Sequence, residues 1–157
     1  MDRCRDRPHV AALAMVVLTM LASSCMIRPI VPHPADQVCP AGAARWSDPG
    51  TWPGGLPAAG DSPVIAGDRT VALDVDTPPL GGLTIEGTLV VCRRDTQVTA
   101  DWIMVHGALQ AGTPEVPFTH DLTFTLTGDD PTVTNMGMGT RGILVMGGQL
   151  RLFGDAP

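Results

Sequence analysis

Three short stretches of the sequence are closely alike and decide the fold: LTIEGTLVV at residues 83–91, IMVHGALQA at 103–111 and LVMGGQLRL at 144–152. Each contains the pattern apolar-x-apolar-x-Gly-x-Leu. Alternating apolar residues are typical of strands that bury one face. The pattern returns at a regular interval, so we predict strands that recur once in every coil of a solenoid with a period of about 20 residues.

Glycines continue this period over most of the chain, and a large apolar residue lies two positions before each of them. The glycines are Gly67, Gly87, Gly107, Gly128 and Gly148. We expect them at a shared corner, where a positive φ or a close backbone approach excludes a side chain. Equivalent residues of stacked coils lie about 4.8 Å apart. The predicted interior column is Ile65, Ile85, Val105, Leu126 and Met146.

The predicted fold class is therefore all-β: a short parallel β-helix of about five coils, preceded by a signal peptide and a Pro/Gly-rich cap. The 18 glycines and 15 prolines among 157 residues agree with short strands broken by turns. The alternative is a β-sandwich of evenly spaced hairpins, because strands also recur inside each period at a spacing of about 8–12 residues.

The N-terminus has the pattern of an export signal. Arg3, Arg5 and Arg7 precede the stretch Val10–Ala22, which is apolar throughout except for Thr19. This length suits a signal peptide better than a membrane span, which needs about 20 apolar residues. Small residues then precede Cys25, as in a bacterial lipobox.

We predict a lipoprotein-type signal peptide at 1–24, lipidation at Cys25 and a tether at 25–45. Ordinary secretion and an uncleaved anchor remain as alternatives. All three place the domain outside the cytoplasm, at a bacterial cell surface, in the periplasm or in the medium.

The charge balance excludes one class of partner. The formal net charge is −6, and removal of residues 1–24, with three arginines and two acidic residues, leaves −7. Nucleic-acid binding needs a basic patch that neutralises phosphates, so we expect none. The same negative balance argues against tight electrostatic capture of an acidic polysaccharide.

Two cysteines, Cys39 and Cys92, lie in the predicted mature domain beyond the lipid site. They are predicted either to pair in an oxidising compartment or to remain free thiols. Neither belongs to a CxxC motif, so we expect no zinc site.

Longer stretches resemble one known family, the eight-glycine (G-eight) domain of extracellular glycan-handling proteins. The resemblance lies in WSDPGTWPGG and the following residues to Val91, in Ala100–Asp130, and in GTRGILVMGGQLRLFG at 139–154. It identifies a domain at 46–154 with a tail at 155–157. It implies a right-handed β-helix, an extracellular setting and binding of a hyaluronan-like glycan. In hyaluronan-degrading members further coils follow this domain, so we also expect the chain to be truncated; the alternative is that residues 149–157 and the early loop act as caps.

Five residues are candidates for ligand binding. Glu86 and His106 precede consecutive corner glycines and are expected to be neighbours on the outer surface, where they form either a solvated contact or an acid–base pair. Arg94 is expected to contact a ligand on the same face. Trp46 and Trp52 precede the first coil, where they either stack on sugars or cap the open end of the solenoid.

Two other groups of residues have structural explanations that compete with functional ones. Asp74 and Asp76 are interpreted as turn residues, as is the pair Asp129-Asp130, with calcium binding as the alternative. Met136 and Met138 are interpreted as filling a loop, with a binding lip as the alternative.

The favoured function is a surface-tethered, non-catalytic glycan-binding module, with membrane attachment through a lipid. No cofactor, metal or catalytic residue is predicted. The alternatives are the N-terminal piece of a hyaluronidase-like polysaccharide-degrading enzyme and a structural or adhesive stalk.

Overall fold

A computed structural model describes residues 38–130 and 139–154. The predicted signal peptide, Cys25, the tether up to residue 37, Met136, Met138 and the tail 155–157 lie outside this range. All described residues belong to one unit, 32–157. Among them, no helix has the length and apolar character needed to cross a membrane.

The described chain is built from strands, as the alternating apolar pattern predicts, and its one helical element is a single 3-10 turn at Pro49–Thr51. The strands are β1 (Ala44–Arg45), β2 (Val64–Ile65), β3 (Thr70–Leu73), β4 (Leu83–Ile85), β5 (Thr88–Val91), β6 (Thr96–Ala100), β7 (Trp102–Val105), β8 (Ala108–Ala111), β9 (Leu122–Leu126), β10 (Gly142–Val145) and β11 (Gln149–Leu152).

These strands form three sheets, and every pairing is parallel. One sheet has the order β1-β3-β5-β8-β11, the second β10-β7-β4-β2, and the third contains β6 and β9. Consecutive strands along the chain therefore lie in different sheets, while strands one period apart are neighbours. This all-β, parallel arrangement is that of a β-helix-like fold and differs from a sandwich of antiparallel hairpins.

The predicted interior column is correct for its first three members. Ile65 pairs with Ile85, and Ile85 pairs with Val105, one glycine period further on at each step. All three side chains are at most 1% exposed. Leu89 and Leu109 form a second buried column with the same period in the neighbouring sheet. In-register stacking therefore puts most of the apolar area of each coil against the coil beneath it.

The column prediction is wrong for its last two members. Leu126 pairs with Ala100 in the third sheet, and Val145, one residue before Met146, pairs with Val105. For Leu126 the reason is the longer connection between β8 and β9, which delays β9 so that its partner in β6 lies further back than one glycine period. For Met146 the reason is one extra residue in the corner, because three residues separate β10 from β11 and only two separate β7 from β8. The second sheet consequently holds four strands where the glycine period predicts five.

The corner glycines are required by close backbone approach. A Cβ atom on Gly87 would lie 2.2 Å from the Ala66 carbonyl oxygen, and one on Gly107 would lie 1.9 Å from the Gly87 oxygen. Real Cβ atoms do not approach oxygens so closely. Gly148 occupies the same corner, 2.6 Å from the Val105 oxygen by the same measure. The second of the two predicted reasons, close approach, therefore explains Gly87, Gly107 and Gly148, whereas a Cβ on Gly67 would meet nothing closer than the Glu86 oxygen at 3.8 Å.

A disulfide joins the start of the described chain to the residue that directly follows β5. Cys39 and Cys92 are bonded, at a sequence separation of 53. The amide of Arg93 also donates to the carbonyl of Val38. Of the two outcomes left open by the sequence, the structure contains the bonded pair, and this bond attaches residues 38–43 to the solenoid.

Substitution of a corner glycine tests the close approach. We expect Gly107→Ala to lower the free energy of unfolding by about 2–3 kcal/mol, because the added methyl group overlaps backbone atoms that cannot rotate away. Denaturant unfolding measures the change. Gly54→Ala is the matched control, since nothing lies within 4 Å of a Cβ at that position. Equal stability of the two variants would contradict the role of the corner.

Reduction of the disulfide tests its contribution. Closing a loop of 53 residues stabilises the folded state by about 4 kcal/mol through loss of chain entropy in the unfolded state. We expect a thiol reductant to lower the free energy of unfolding of the wild type by about this amount. The Cys39→Ser variant, which starts without the bond, should show no further loss. A reductant effect of the same size in both proteins would contradict the assignment.

Candidate functional site

The sheet formed by β2, β4, β7 and β10 has an outer surface made of side chains from every strand. Along β7 the inward residues Ile103 and Val105 are buried, while Trp102 and Met104 are partly exposed. Strand register and backbone hydrogen bonds place equivalent outward residues of successive coils in rows. We call this surface the outer face; its residues are Val64, Thr84, Glu86, Trp102, Met104, His106, Leu144 and Met146.

Glu86 and His106 occupy equivalent positions in adjacent coils. The amide of Glu86 donates to the carbonyl of Ile65, and the amide of His106 donates to that of Ile85, at 2.9 and 2.8 Å. Both side chains are exposed, as expected. His106 Nδ1 lies 3.2 Å from the carbonyl oxygen of Met146 in the next coil of this sheet. The outer face thus carries one carboxylate and one imidazole, both available for polar contacts with a ligand.

Arg94 lies at a different corner of the coil, between β5 and β6, whereas Glu86 lies between β4 and β5. Its guanidinium Nη1 donates to Asp76 Oδ1 at 3.3 Å and to the Asp74 carbonyl at 3.4 Å. The prediction that Arg94 shares a ligand surface with Glu86 and His106 is therefore wrong. A corner arginine so placed instead fixes the turn that follows β3.

The aspartates of this corner accept hydrogen bonds from the backbone of neighbouring coils. Asp74 accepts from the amide of Ser47 at 3.0 Å, Asp76 from Gln97 at 3.1 Å, and Asp95 from Asp121 at 3.1 Å. Each carboxylate thus accepts a hydrogen bond from a backbone amide that does not donate to a neighbouring strand. Within residues 38–130 and 139–154, no group of three or more His, Cys, Asp or Glu side chains could hold a metal ion.

Asp74 is the one carboxylate here whose pKa clearly departs from its usual value. Partial burial by itself raises the pKa, but hydrogen bonds from the Ser47 hydroxyl, at 2.7 Å, and the Ser47 amide lower it further than burial raises it. The Arg45 guanidinium, 3.5 Å away, adds to the lowering. The pKa of Asp74 is therefore below its usual range, as expected for a carboxylate whose charged form is held by several donors.

Trp46 and Trp52 are buried, at 1% and 8% exposure. Their ring centroids lie 4.7 Å apart in an edge-to-face arrangement, and the indole nitrogen of Trp52 donates to the Trp46 carbonyl at 2.9 Å. This burial leaves little of either ring for stacking on a sugar, although Trp52 lines a pocket of about 500 Å³. The packing agrees with the alternative role as a cap beneath the first coil, and ligand binding by these two residues stays a prediction.

Trp102 is an aromatic residue of the outer face that the sequence analysis did not single out. It begins β7, and its side chain points away from the core because its neighbour Ile103 points inward. The signal was present in the alternation itself: Ile103 and Val105 are inward, so Trp102, Met104 and His106 must be outward.

A groove of about 400 Å³ lies beside the disulfide, away from the outer face. Its lining is mainly apolar and comes from the segment at Val38–Pro40, from β5 and β8, and from the loop after β8. Gln110 Nε2, on its wall, donates to the Gly112 carbonyl at 3.2 Å. This groove contains none of the five predicted ligand-binding residues.

Comparison with known proteins points to one family. The family model described as the G8 domain matches residues 51–157. Fibrocystin of Mus musculus is 36% identical over 94 residues, covering 52% of this chain and 2% of fibrocystin. Fibrocystin-L of Homo sapiens is 38% identical over 87 residues, covering 53% of this chain and 2% of that protein. The chain thus spans a very small part of these relatives, and no solved structure matches it significantly.

The lowered pKa of Asp74 makes a prediction about acid stability. A carboxyl whose pKa is depressed in the folded state contributes stability above its unfolded pKa of about 3.9, and this is lost as the pH falls through the folded value. We expect Asp74→Asn to be about 1–3 kcal/mol less stable at pH 7. The difference from wild type should shrink below about pH 4.

Denaturant unfolding between pH 7 and pH 2.5 measures both effects. Asp68→Asn is the control, because Asp68 is an exposed carboxylate in the turn between β2 and β3. A deficit of Asp74→Asn that stays constant down to pH 2.5 would show that the charged carboxylate is not the stabilising form.

Proposed function

The chain belongs to the G8 domain family, and from this membership we propose that it is a non-catalytic β-solenoid module that binds a glycan outside the cytoplasm. The observation that carries the proposal is the outer face, where Glu86 and His106 project from the same position of adjacent coils. Neighbouring strands repeat at about 4.8 Å. A surface that presents polar side chains at the same position of adjacent coils suits an extended ligand that contacts more than one coil.

The chemistry of the outer face supports binding more than catalysis. Glycoside hydrolysis generally uses two carboxyl groups about 5–10 Å apart on opposite sides of the scissile bond. The rows of the outer face, within the described residues, contain Glu86 as their single carboxylate. His106 adds a donor or acceptor, and the remaining members are mostly apolar, which fits a surface that holds a ligand in place.

The proposed location follows from the N-terminus and from the relatives. An export signal that ends at Cys25 would leave the module attached to a membrane through a lipid, with the Pro-rich segment 26–38 as a spacer. The matched relatives are fibrocystin and fibrocystin-L. The disulfide between Cys39 and Cys92 is also of the kind that persists in oxidising compartments.

A structural or adhesive role is the second candidate, and the last coil favours it. Val145 and Leu150 are each 44% exposed, although their partners one coil below, Val105 and Leu109, are fully buried. Strands β10 and β11 are also the edges of their sheets. Such side chains and strand edges can pack against a further coil or against another protein, and either contact would extend a structural stalk.

A glycan array probed with the full-length chain tests the favoured function. We expect binding to at least one polysaccharide, weakened about tenfold in the double variant Glu86→Ala/His106→Ala through loss of one or two hydrogen bonds. Glu115→Ala is the matched control, because Glu115 is an exposed carboxylate of the loop after β8 and lies outside the outer face.

Two outcomes would count against glycan binding by this face. The first is a wild-type chain that binds no glycan, which would leave the structural role as the surviving candidate. The second is binding that the double variant and the control retain equally, which would place the binding surface elsewhere on the molecule.

A further inference from the structure

We infer that Trp102, lying on Gly82, is a stacking platform for one ring of a neutral glycan. The inference rests on the proposed glycan-binding function and adds to it a specific residue and the charge class of the ligand. Three observations lead to it: the position of the indole on the outer face, the glycine backbone beside it, and the absence of arginine and lysine from the described rows around it.

The first observation is the direction and exposure of the side chain. Trp102 alternates with the fully buried Ile103 at the start of β7, so its indole lies on the outer face of the sheet. It is partly exposed. The other two of the three tryptophans, Trp46 and Trp52, are buried in the cap and contact each other. Trp102 is therefore the most exposed of the three tryptophans.

The second observation is the bare backbone on which the indole lies. A Cβ atom on Gly82 would be 2.3 Å from both Cε2 and Cζ2 of Trp102 and 2.9 Å from Cη2. The six-membered ring of the indole thus covers the Cα of Gly82, in the coil before it. Any side chain at position 82 would displace the ring.

The coil on the other side of Trp102 also has a residue without a side chain at this position. The register partner of Trp102 in β10 is Gly142, which also has no side chain. Among residues 38–130 and 139–154, the indole therefore has no side-chain neighbour in its own row on either side. A ring held along the sheet in this way keeps its second face turned outward, and that face can pack against the apolar C–H surface of a sugar ring.

The third observation concerns charge. The described members of the outer face include Glu86 and no arginine, and the whole chain contains no lysine. Binding of a polyanion depends on basic groups that replace its counterions, and a net charge of −6 opposes its approach. This face is thus better suited to a neutral glycan than to an acidic one such as hyaluronan.

The order of the outward residues along β7 indicates how a bound glycan would be oriented. Met104 and His106 follow Trp102 on the same face of β7, and at about 3.3 Å per residue the His106 position lies roughly 13 Å from the Trp102 position. A glycan lying along the strand would contact the indole with one ring and the Glu86–His106 row with a later one. Stacking at one end and hydrogen bonding at the other would fix its orientation.

The experiment combines binding with tryptophan fluorescence on the full-length chain. Cellohexaose, laminarihexaose, chitohexaose and mannohexaose are the neutral probes, and a hyaluronan hexasaccharide is the acidic comparator. We expect a neutral probe to bind and to reduce acrylamide quenching of the exposed fluorophore. The contribution of Trp46 and Trp52 should remain unchanged, because both are already buried.

Variants separate stacking from general loss of structure. We expect Trp102→Ala to weaken the neutral probe at least tenfold and Trp102→Phe to weaken it severalfold less, since a smaller aromatic ring still stacks. Gly82→Ala keeps the indole but displaces it, and we expect it to weaken binding as well. Glu115→Ala is the control, and the unfolding transition of each variant shows whether it folds.

Four outcomes overturn parts of the reasoning in distinguishable ways. A wild-type chain that binds no glycan removes the proposed function and, with it, this inference. Binding that Trp102→Ala retains removes the inference alone. Binding of a probe to the wild-type chain with no change in acrylamide quenching also removes the inference alone. This measurement does not depend on whether any variant folds. Binding of the hyaluronan hexasaccharide in preference to every neutral probe overturns the assigned charge class.

Discussion

The structure depends on a carbonyl oxygen that accepts two hydrogen bonds at the corners of two consecutive coils. The carbonyl of Ile65 accepts from the amides of both Glu86 and Gly87, at 2.9 and 3.0 Å. The carbonyl of Ile85 accepts from His106 and Gly107 in the same way, at 2.8 and 2.9 Å. Two consecutive amides can reach one oxygen only if the chain bends tightly against the coil beneath it. The second residue must then be glycine, because its Cα meets backbone on that side.

This corner also determines which parts of the fold were predictable. Wherever the corner repeats without interruption, sequence spacing equals spatial register, and the buried column from Ile65 to Val105 follows directly. The rule fails where chain length between corners changes. The segment between β8 and β9 carries Phe118, buried at 6% exposure, so it packs against the solenoid without joining the glycine period. Nothing in the spacing of glycines reveals that Gly128 follows a strand of another sheet.

The candidate site shows the same division between local and long-range information. The outward direction of Glu86, His106 and Trp102 follows from strand alternation, which is a local property. The burial of Trp46 and Trp52 and the ion pair of Arg94 depend on which coil lies next to them. Residues in turns cannot be assigned to a surface by alternation, and Arg94 in particular required knowledge of Asp76 one coil away.

The disulfide has a mechanical consequence for a domain held by its N-terminus. A force applied ahead of Cys39 reaches Cys92 directly through the sulfur–sulfur bond, so the covalent load path omits residues 40–91. The tryptophan cap, β1 and the first strands of each larger sheet lie within this bypassed loop. Tension applied ahead of Cys39 therefore enters the solenoid after β5, and the strands before β5 are shielded from being peeled away.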